Sequence, residues 1–143
     1  MSGPTVGKGP SRLLAVIFVA LAGGTLPLPL EAADSIPPQP ARYFNDYAGL
    51  VSQEGAQRLD RKLEEFDSQT SNQIVVAIFP ELPSPSLEDF TIRTAQAWRV
   101  GRKKLDNGVI LFVFVKDRAL RLEVGYGLEG ALPDATANRI IQE

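Results

Sequence analysis

Along this chain the apolar positions change period, and each period predicts an element. Ala56, Leu59, Leu63 and Phe66 recur at helical spacing. Ser52 stands before them as an N-cap, with Glu54 in the first turn. The cap- and turn-forming cluster Asp67 to Asn72 ends that helix. Ile74 to Phe79 (IVVAIF) is an unbroken apolar run, the pattern of a strand buried on both faces. The loop PELPSP, Pro80 to Pro85, cannot continue it. Ser86 with Asp89 three residues on is a capping-box pattern for a second helix. That helix carries Leu87, Phe90, Thr94, Ala97 and Trp98 and stops at Gly101. After the basic turn RKKLDNG, Val109 to Val115 (VILFVFV) is a second buried strand. Leu120 to Val124 (LRLEV) alternates, as a half-buried strand does. A last helix starts at Asp134.

Two strands joined through a helix run parallel, and a strand following a short turn forms a hairpin. The order predicts an α/β fold: a three-layer α/β sandwich with a mixed, mostly parallel sheet and helices on both faces. Arg42 to Val51 (RYFNDYAGLV) leads the chain into it.

The first third has a different pattern. Lys8 and Arg12 precede the apolar run Leu13 to Ala22, and small residues follow at Ala32 and Ala33. A positive start, a short apolar stretch and small exit residues predict a signal peptide over residues 1–33 and an exported protein. Gly23, Gly24, Pro27 and Pro29 break the apolar run short of the ~20 residues a membrane span needs. Residues 34–42, with SIPPQP at their centre, read as an extended Pro-rich linker. The α/β domain then occupies residues 43–143.

Composition narrows the chemistry. Fifteen basic residues against 17 acidic ones give a net charge of −2, with no basic excess for a nucleic acid. Cysteine and histidine are both absent. That removes disulfides, Ser-His-Asp and Cys-His catalysis, and His or Cys metal sites. A bound metal would be a hard, oxygen-liking cation such as Ca²⁺ or Mg²⁺.

Residues 125–130, GYGLEG, spell the G-x-G-x-x-G of a dinucleotide loop. Such a loop must open a helix at once, so that phosphate meets the helix N-terminus. Here Pro133 intervenes, and the preceding strand is the far arm of a hairpin rather than the first strand of a βαβ unit. No nucleotide or dinucleotide is expected. Gly125, Gly127 and Gly130 then need another cause: a turn, or close backbone approach. The hairpin lays this loop beside Leu105–Gly108, so topology brings Asp106, Glu129 and Asp134 to one rim. Carboxylates on glycine-supported loops suit a hard divalent cation. Taken singly, Asp106 reads as a turn residue, Asp134 as an N-cap and Glu129 as an exposed loop charge.

NDYAGLVS (Asn45–Ser52), AWRVGRKKLDNGVILFVFVKDR (Ala97–Arg118) and RLEVGYGLEGALPDATANRII (Arg121–Ile141) together resemble the TPM domain, also called the TPM phosphatase family. The resemblance implies an α/β sandwich in an exported or lumenal protein. It also implies divalent-cation binding and, in thylakoid-lumen relatives, weak acid phosphatase activity. Some members look like maintenance factors for membrane complexes. The family's acidic positions fall on Asp46, Asp106, Glu129 and Asp134, with Asp46 included by resemblance alone. The resemblance further implies a domain that runs on past Glu143.

Two function classes follow. In the first, a cation held by Asp106, Glu129 and Asp134 polarises a phosphomonoester, and Arg121 or Lys104 neutralises phosphate oxygens. In the second, the domain is a non-enzymatic module. Its Arg99, Arg102, Lys103 and Lys104 then dock a membrane protein or the lipid headgroups of a membrane surface.

Overall fold

The computed structural model describes Gly3 and residues 35–142. The stretch expected to be a signal peptide lies outside the described residues, Gly3 apart. Among the described residues no helix is long and apolar enough to cross a membrane.

Four strands form one sheet in the order β1 (Phe44–Asp46), β2 (Gln73–Phe79), β3 (Gly108–Phe114) and β4 (Ala119–Val124). The first three are mutually parallel and β4 runs antiparallel to β3. The predicted pairing of the two apolar strands and of the hairpin is therefore present. Strand β1 falls in the stretch read from the sequence as lead-in chain, with an extra strand over Tyr43–Tyr47 as the alternative; three residues are too few to display a period. Its outward N–H groups are not left bare. Asp60 Oδ1 accepts from the Tyr43 and Phe44 amides at 2.8 and 2.9 Å, which blunts the sheet edge.

Helix α1 (Gln53–Thr70) begins at Ser52, whose hydroxyl accepts from the Gly55 amide at 3.2 Å. Helix α2 (Leu87–Trp98) begins at Ser86, which accepts from the Asp89 amide at 3.2 Å. Both caps are those the sequence predicts. The buried stripe of α2 is Phe90, Thr91, Thr94 and Trp98, while Ala97, expected on it, is exposed. Helix α3 (Asp134–Gln142) starts at the expected residue, but Asp134 is not its N-cap. The Pro133 carbonyl accepts from Thr136 and Ala137 at 2.8 and 3.0 Å, so Pro133 occupies the cap position and Asp134 is the first helical residue. A proline fits there because its missing N–H is not needed and its φ is preset.

The α2 face of the sheet carries the main core: Val75, Ala77, Ile110, Phe112 and Phe114 against Phe90 and Trp98. Phe90, Phe112 and Phe114 are wholly buried. Each is worth about 1.5–3 kcal/mol of burial. Phe90 meets Phe114 edge-on at 5.9 Å, and Trp98 lies 5.7 Å from Phe112. The opposite face holds Phe44, Ile78 and Val109, which are buried as well. Both faces are covered, and the fold is an α/β sandwich.

Candidate cleft at the carboxyl end of the second helix

The end of β4 and the start of β3 meet where α2 ends, and a cleft of about 580 Å³ opens there. Ile92 and Ala95 of the helix, with Arg99, Arg102 and Lys103 just beyond its end, form one wall. Asp106, Gly125 and Tyr126 form the other, with Ile110 and Glu123 between them.

One buried side chain organises the turn under this cleft. Asn107 is 5% exposed. Its Nδ2 donates to the Ser71 carbonyl at 2.6 Å and to Asn72 Oδ1 at 3.0 Å. Its Oδ1 accepts from the Arg102 amide at 2.9 Å. The end of α1 and the loop after α2 are thereby tied to the start of β3. Asp67 adds to this, accepting from the Tyr43 hydroxyl at 2.9 Å and from the Arg102 guanidinium at 2.8 Å. The hydrogen bond to Asp67, with burial behind it, raises the Tyr43 phenol above its ordinary pKa.

The glycines have a definite cause. At Gly127 a Cβ would strike the Leu105 carbonyl oxygen and sit 3.0 Å from that of Asp106. At Gly125 it would strike the Asp106 carbonyl oxygen and sit 3.1 Å from Asp106 Oδ1. Neither glycine has positive φ. They are small because two stretches of backbone lie against one another. The Gly127 amide donates to the Asp106 carbonyl at 2.9 Å, and the Tyr126 amide to Asp106 Oδ2 at 3.0 Å. Gly130 has open space around its Cα. The loop itself is a single 3-10 turn, Tyr126–Leu128, and the chain then reaches α3 through Pro133.

The expected acidic residues separate. Asp46 ends β1 in register with Ile78, whereas the Gly108 end of β3 is in register with Gln73. Five residues of strand, roughly 16 Å at ~3.3 Å each, divide the two levels. Asp46 serves its own loop, accepting from Ala48 at 3.1 Å and from Val51 at 2.7 Å. Asp106 lies against Gly125–Gly127 at the Gly108 end of β3, and Glu129 and Asp134 are exposed. Among the described residues, no three Asp or Glu side chains gather as cation ligands. The donor set therefore does not fit a Ca²⁺ or Mg²⁺ cage built by the protein alone.

Of the two expected phosphate partners, Arg121 lies at mid-strand opposite Phe112. It is engaged by Glu123 at 3.0 Å and Glu88 at 3.6 Å. Lys104 is exposed and stands off the cleft wall. Arg99 and Lys103 do line the cleft, and neither has an acidic partner among the described residues. Sequence reasoning passed over Glu123 and Asn107. Glu123 Oε1 accepts from the buried Thr91 hydroxyl at 2.7 Å and from Arg121 at 3.0 Å. Thr91 and Thr94 interrupt the apolar stripe of α2, and that interruption was the available signal.

Residues 44–143 match the family model for the TPM domain. The N-terminal domain of a P. gingivalis protein, solved by NMR, is 38% identical with a TM-score of 0.64. That alignment takes in 71% of this chain and 64% of the other, so this chain spans somewhat less than two thirds of that one. The N-terminal domain of the cg2496 protein of Corynebacterium glutamicum is 20% identical, with a TM-score of 0.57 over 77% of this chain and 70% of the other; it supports the fold alone. No protein of curated function matches the sequence. On the family match, over more than half its length, this chain belongs to the TPM domain family.

Proposed function

We propose that this domain is a binding module of an exported protein, and that its cleft takes a ligand with a phosphate-class anion. One observation carries the reading: Arg99 and Lys103 line the cleft without acidic partners among the described residues, beside Arg102. Glu123, at the back of the cleft, is already occupied by Thr91 and Arg121. An anion between Arg99 and Lys103 would gain charge-assisted hydrogen bonds at an exposed cleft mouth. The described cleft wall offers no serine or threonine, and the chain has no histidine or cysteine, so a binding role needs fewer assumptions than a catalytic one.

A divalent cation has a place in this reading only alongside the anion. Asp106 is a single carboxylate on the cleft wall with one oxygen spent on the Tyr126 amide. Mg²⁺ commonly takes one or two carboxylates and draws its remaining oxygens from phosphate and water.

The test is an amide-shift titration of the full chain with a phosphomonoester, with and without Mg²⁺ or Ca²⁺, and separately with anionic lipid vesicles. Shifts centred on Arg99–Lys103 and Tyr126, weakened at least tenfold in the Arg99→Gln, Lys103→Gln double variant, are expected. The vesicle arm tells a headgroup from a free phosphomonoester. If neither ligand moves those amides at millimolar concentration, the reading is wrong. Turnover of the phosphomonoester would instead favour the phosphatase alternative.

A further inference from the structure

The Pro-rich stretch before the domain lies against it. The Trp98 indole N–H donates to the Pro37 carbonyl at 2.8 Å, across 61 positions of sequence, and Trp98 is 1% exposed. A buried indole needs one acceptor, and this carbonyl supplies it. Ile36, Pro37 and Pro40 are half-buried while Pro38 and Gln39 are exposed. Prolines at 37, 38 and 40 favour a polyproline II helix. Such a helix makes no internal hydrogen bonds and presents its carbonyls outward. An aromatic-lined groove with an N–H donor is the surface that recognises it. Pro40 sits at a small pocket of about 120 Å³ shared with Tyr43, Gln73, Val75 and Val100.

This groove and the cleft share a wall. Val100 lines both. Gln73, on the groove side, accepts from the Gly101 amide at 2.7 Å, and Gly101 lines the cleft. Trp98 is the last residue of α2, and Arg99 follows it with φ of 47°. Whatever seats Trp98 and Val100 therefore seats the segment that presents Arg99, Arg102 and Lys103.

We propose that the groove beside Trp98 is a polyproline-binding surface whose resident is residues 36–40 of this same chain, and that this docking sets the basic wall of the adjoining cleft. A preformed polyproline helix loses little entropy on docking, so a short strap of this kind holds with few contacts and opens without unfolding the core. The inference concerns the free protein and does not depend on what the cleft binds.

The chain has one tryptophan, so its indole signal is unambiguous. In the full chain the Trp98 indole N–H should exchange slowly with solvent. Replacing both prolines, Pro37→Gly with Pro40→Gly, should speed that exchange at least tenfold and red-shift the tryptophan emission. The amide signals of Arg99–Lys103 should shift, while those of Ala48–Val51 at the other end of the sheet stay in place. A synthetic peptide of residues 35–42 should return the signals toward the parent positions. Trp98→Phe, which keeps a ring and removes the donor, should raise the backbone mobility of Ile36 and Gln39, read as a lowered amide heteronuclear NOE; it serves as the deciding variant if the double replacement does not fold. Unchanged indole exchange in the double variant overturns the docking. Faster indole exchange with Arg99–Lys103 unmoved overturns the link to the cleft. No change at Ile36 and Gln39 in Trp98→Phe also overturns the proposal.

Discussion

Replacing Gly127 with alanine tests why the G-x-G-x-x-G spelling is there. The added Cβ would meet the Leu105 carbonyl oxygen and lie 3.0 Å from both the Leu105 carbonyl carbon and the Asp106 carbonyl oxygen. These are backbone atoms of the turn just before β3 and cannot swing away as a side chain would. Overpacking of this kind costs about 1–3 kcal/mol. If the loop lifts to relieve it, the Gly127–Asp106 and Tyr126–Asp106 hydrogen bonds go with it. Each of those is worth about 0.5–1.5 kcal/mol, so the total is roughly 2–6 kcal/mol. A domain of this size has about 5–15 kcal/mol in all. At about 4–8 °C per kcal/mol, the midpoint should fall by ~10 °C or more. Gly125→Ala should behave alike, since its Cβ would strike the Asp106 carbonyl. Gly130→Ala is the control: nothing lies within 4 Å of its Cβ, and it should be neutral or stabilise by up to about 1 kcal/mol. Urea unfolding of the three variants followed by circular dichroism measures this. If Gly125→Ala and Gly127→Ala unfold within about 0.5 kcal/mol of Gly130→Ala, loop-on-loop packing is not the reason for these glycines, and a ligand becomes the better explanation.

Asn107→Asp should cost about 2–4 kcal/mol at neutral pH, because a carboxylate would replace the amide that donates to Ser71 and Asn72. Burial raises such a carboxyl's folded pKa, so its protonated form is favoured on folding and the deficit should shrink as pH falls; a pH-independent deficit contradicts this. Tyr43→Phe loses the bond to Asp67 and should cost about 1 kcal/mol. The Tyr43 phenol titrates above its ordinary value, so its contribution is full below the unfolded pKa near 10 and is lost as pH rises through the raised one; an alkaline absorbance titration should lack one late phenol in the variant. Intact mass of protein taken from the exported fraction should begin near Ala33 or Asp34, and retention of residues 1–30 refutes export with cleavage.

The strands and helices from Gln53 onward were legible because each shows one period over six or more residues. IVVAIF and VILFVFV cannot be placed except in a covered sheet, and both serine caps announce their helices. Strand β1 was not legible: Phe44–Asp46 is three residues long and ends in Asn and Asp, which read as turn. The cleft was half legible. Hairpin topology placed GYGLEG beside Leu105–Gly108 correctly, but topology gives proximity of backbones and not of side chains. A carboxylate can turn toward the nearest amide instead of toward its neighbours, as Asp106 does. Asn107 looked like half of a turn dipeptide, because nothing local announces that its amide will reach Ser71 and Asn72 some 35 positions earlier.

Asp46 and Asp106 share one kind of local work. Asp46 gathers the Ala48 and Val51 amides, so the stretch NDYAGLVS is a loop folded around its own carboxylate. Asp106 gathers the Tyr126 amide through its side chain and the Gly127 amide through its carbonyl, so DNG and GYG are two halves of one joint. The motifs lie at opposite ends of the sheet, and each satisfies backbone donors that no strand or helix would reach. Each acid can therefore organise its own backbone with no ligand required. The two roles separate by substitution. An acid that spends one oxygen on its loop tolerates asparagine, which keeps an acceptor oxygen, whereas an acid that holds a cation does not. Asp46 spends both oxygens, so Asp46→Asn turns an amide N–H toward a backbone N–H and should cost about 1–3 kcal/mol, yet leave any Ca²⁺ or Mg²⁺ response intact. Asp106→Asn should fold equally well, and the cation dependence of phosphomonoester binding in the cleft should disappear. If Asp46→Asn abolishes the cation response, Asp46 has a role beyond its loop and the separation of the two ends of the sheet is the wrong account.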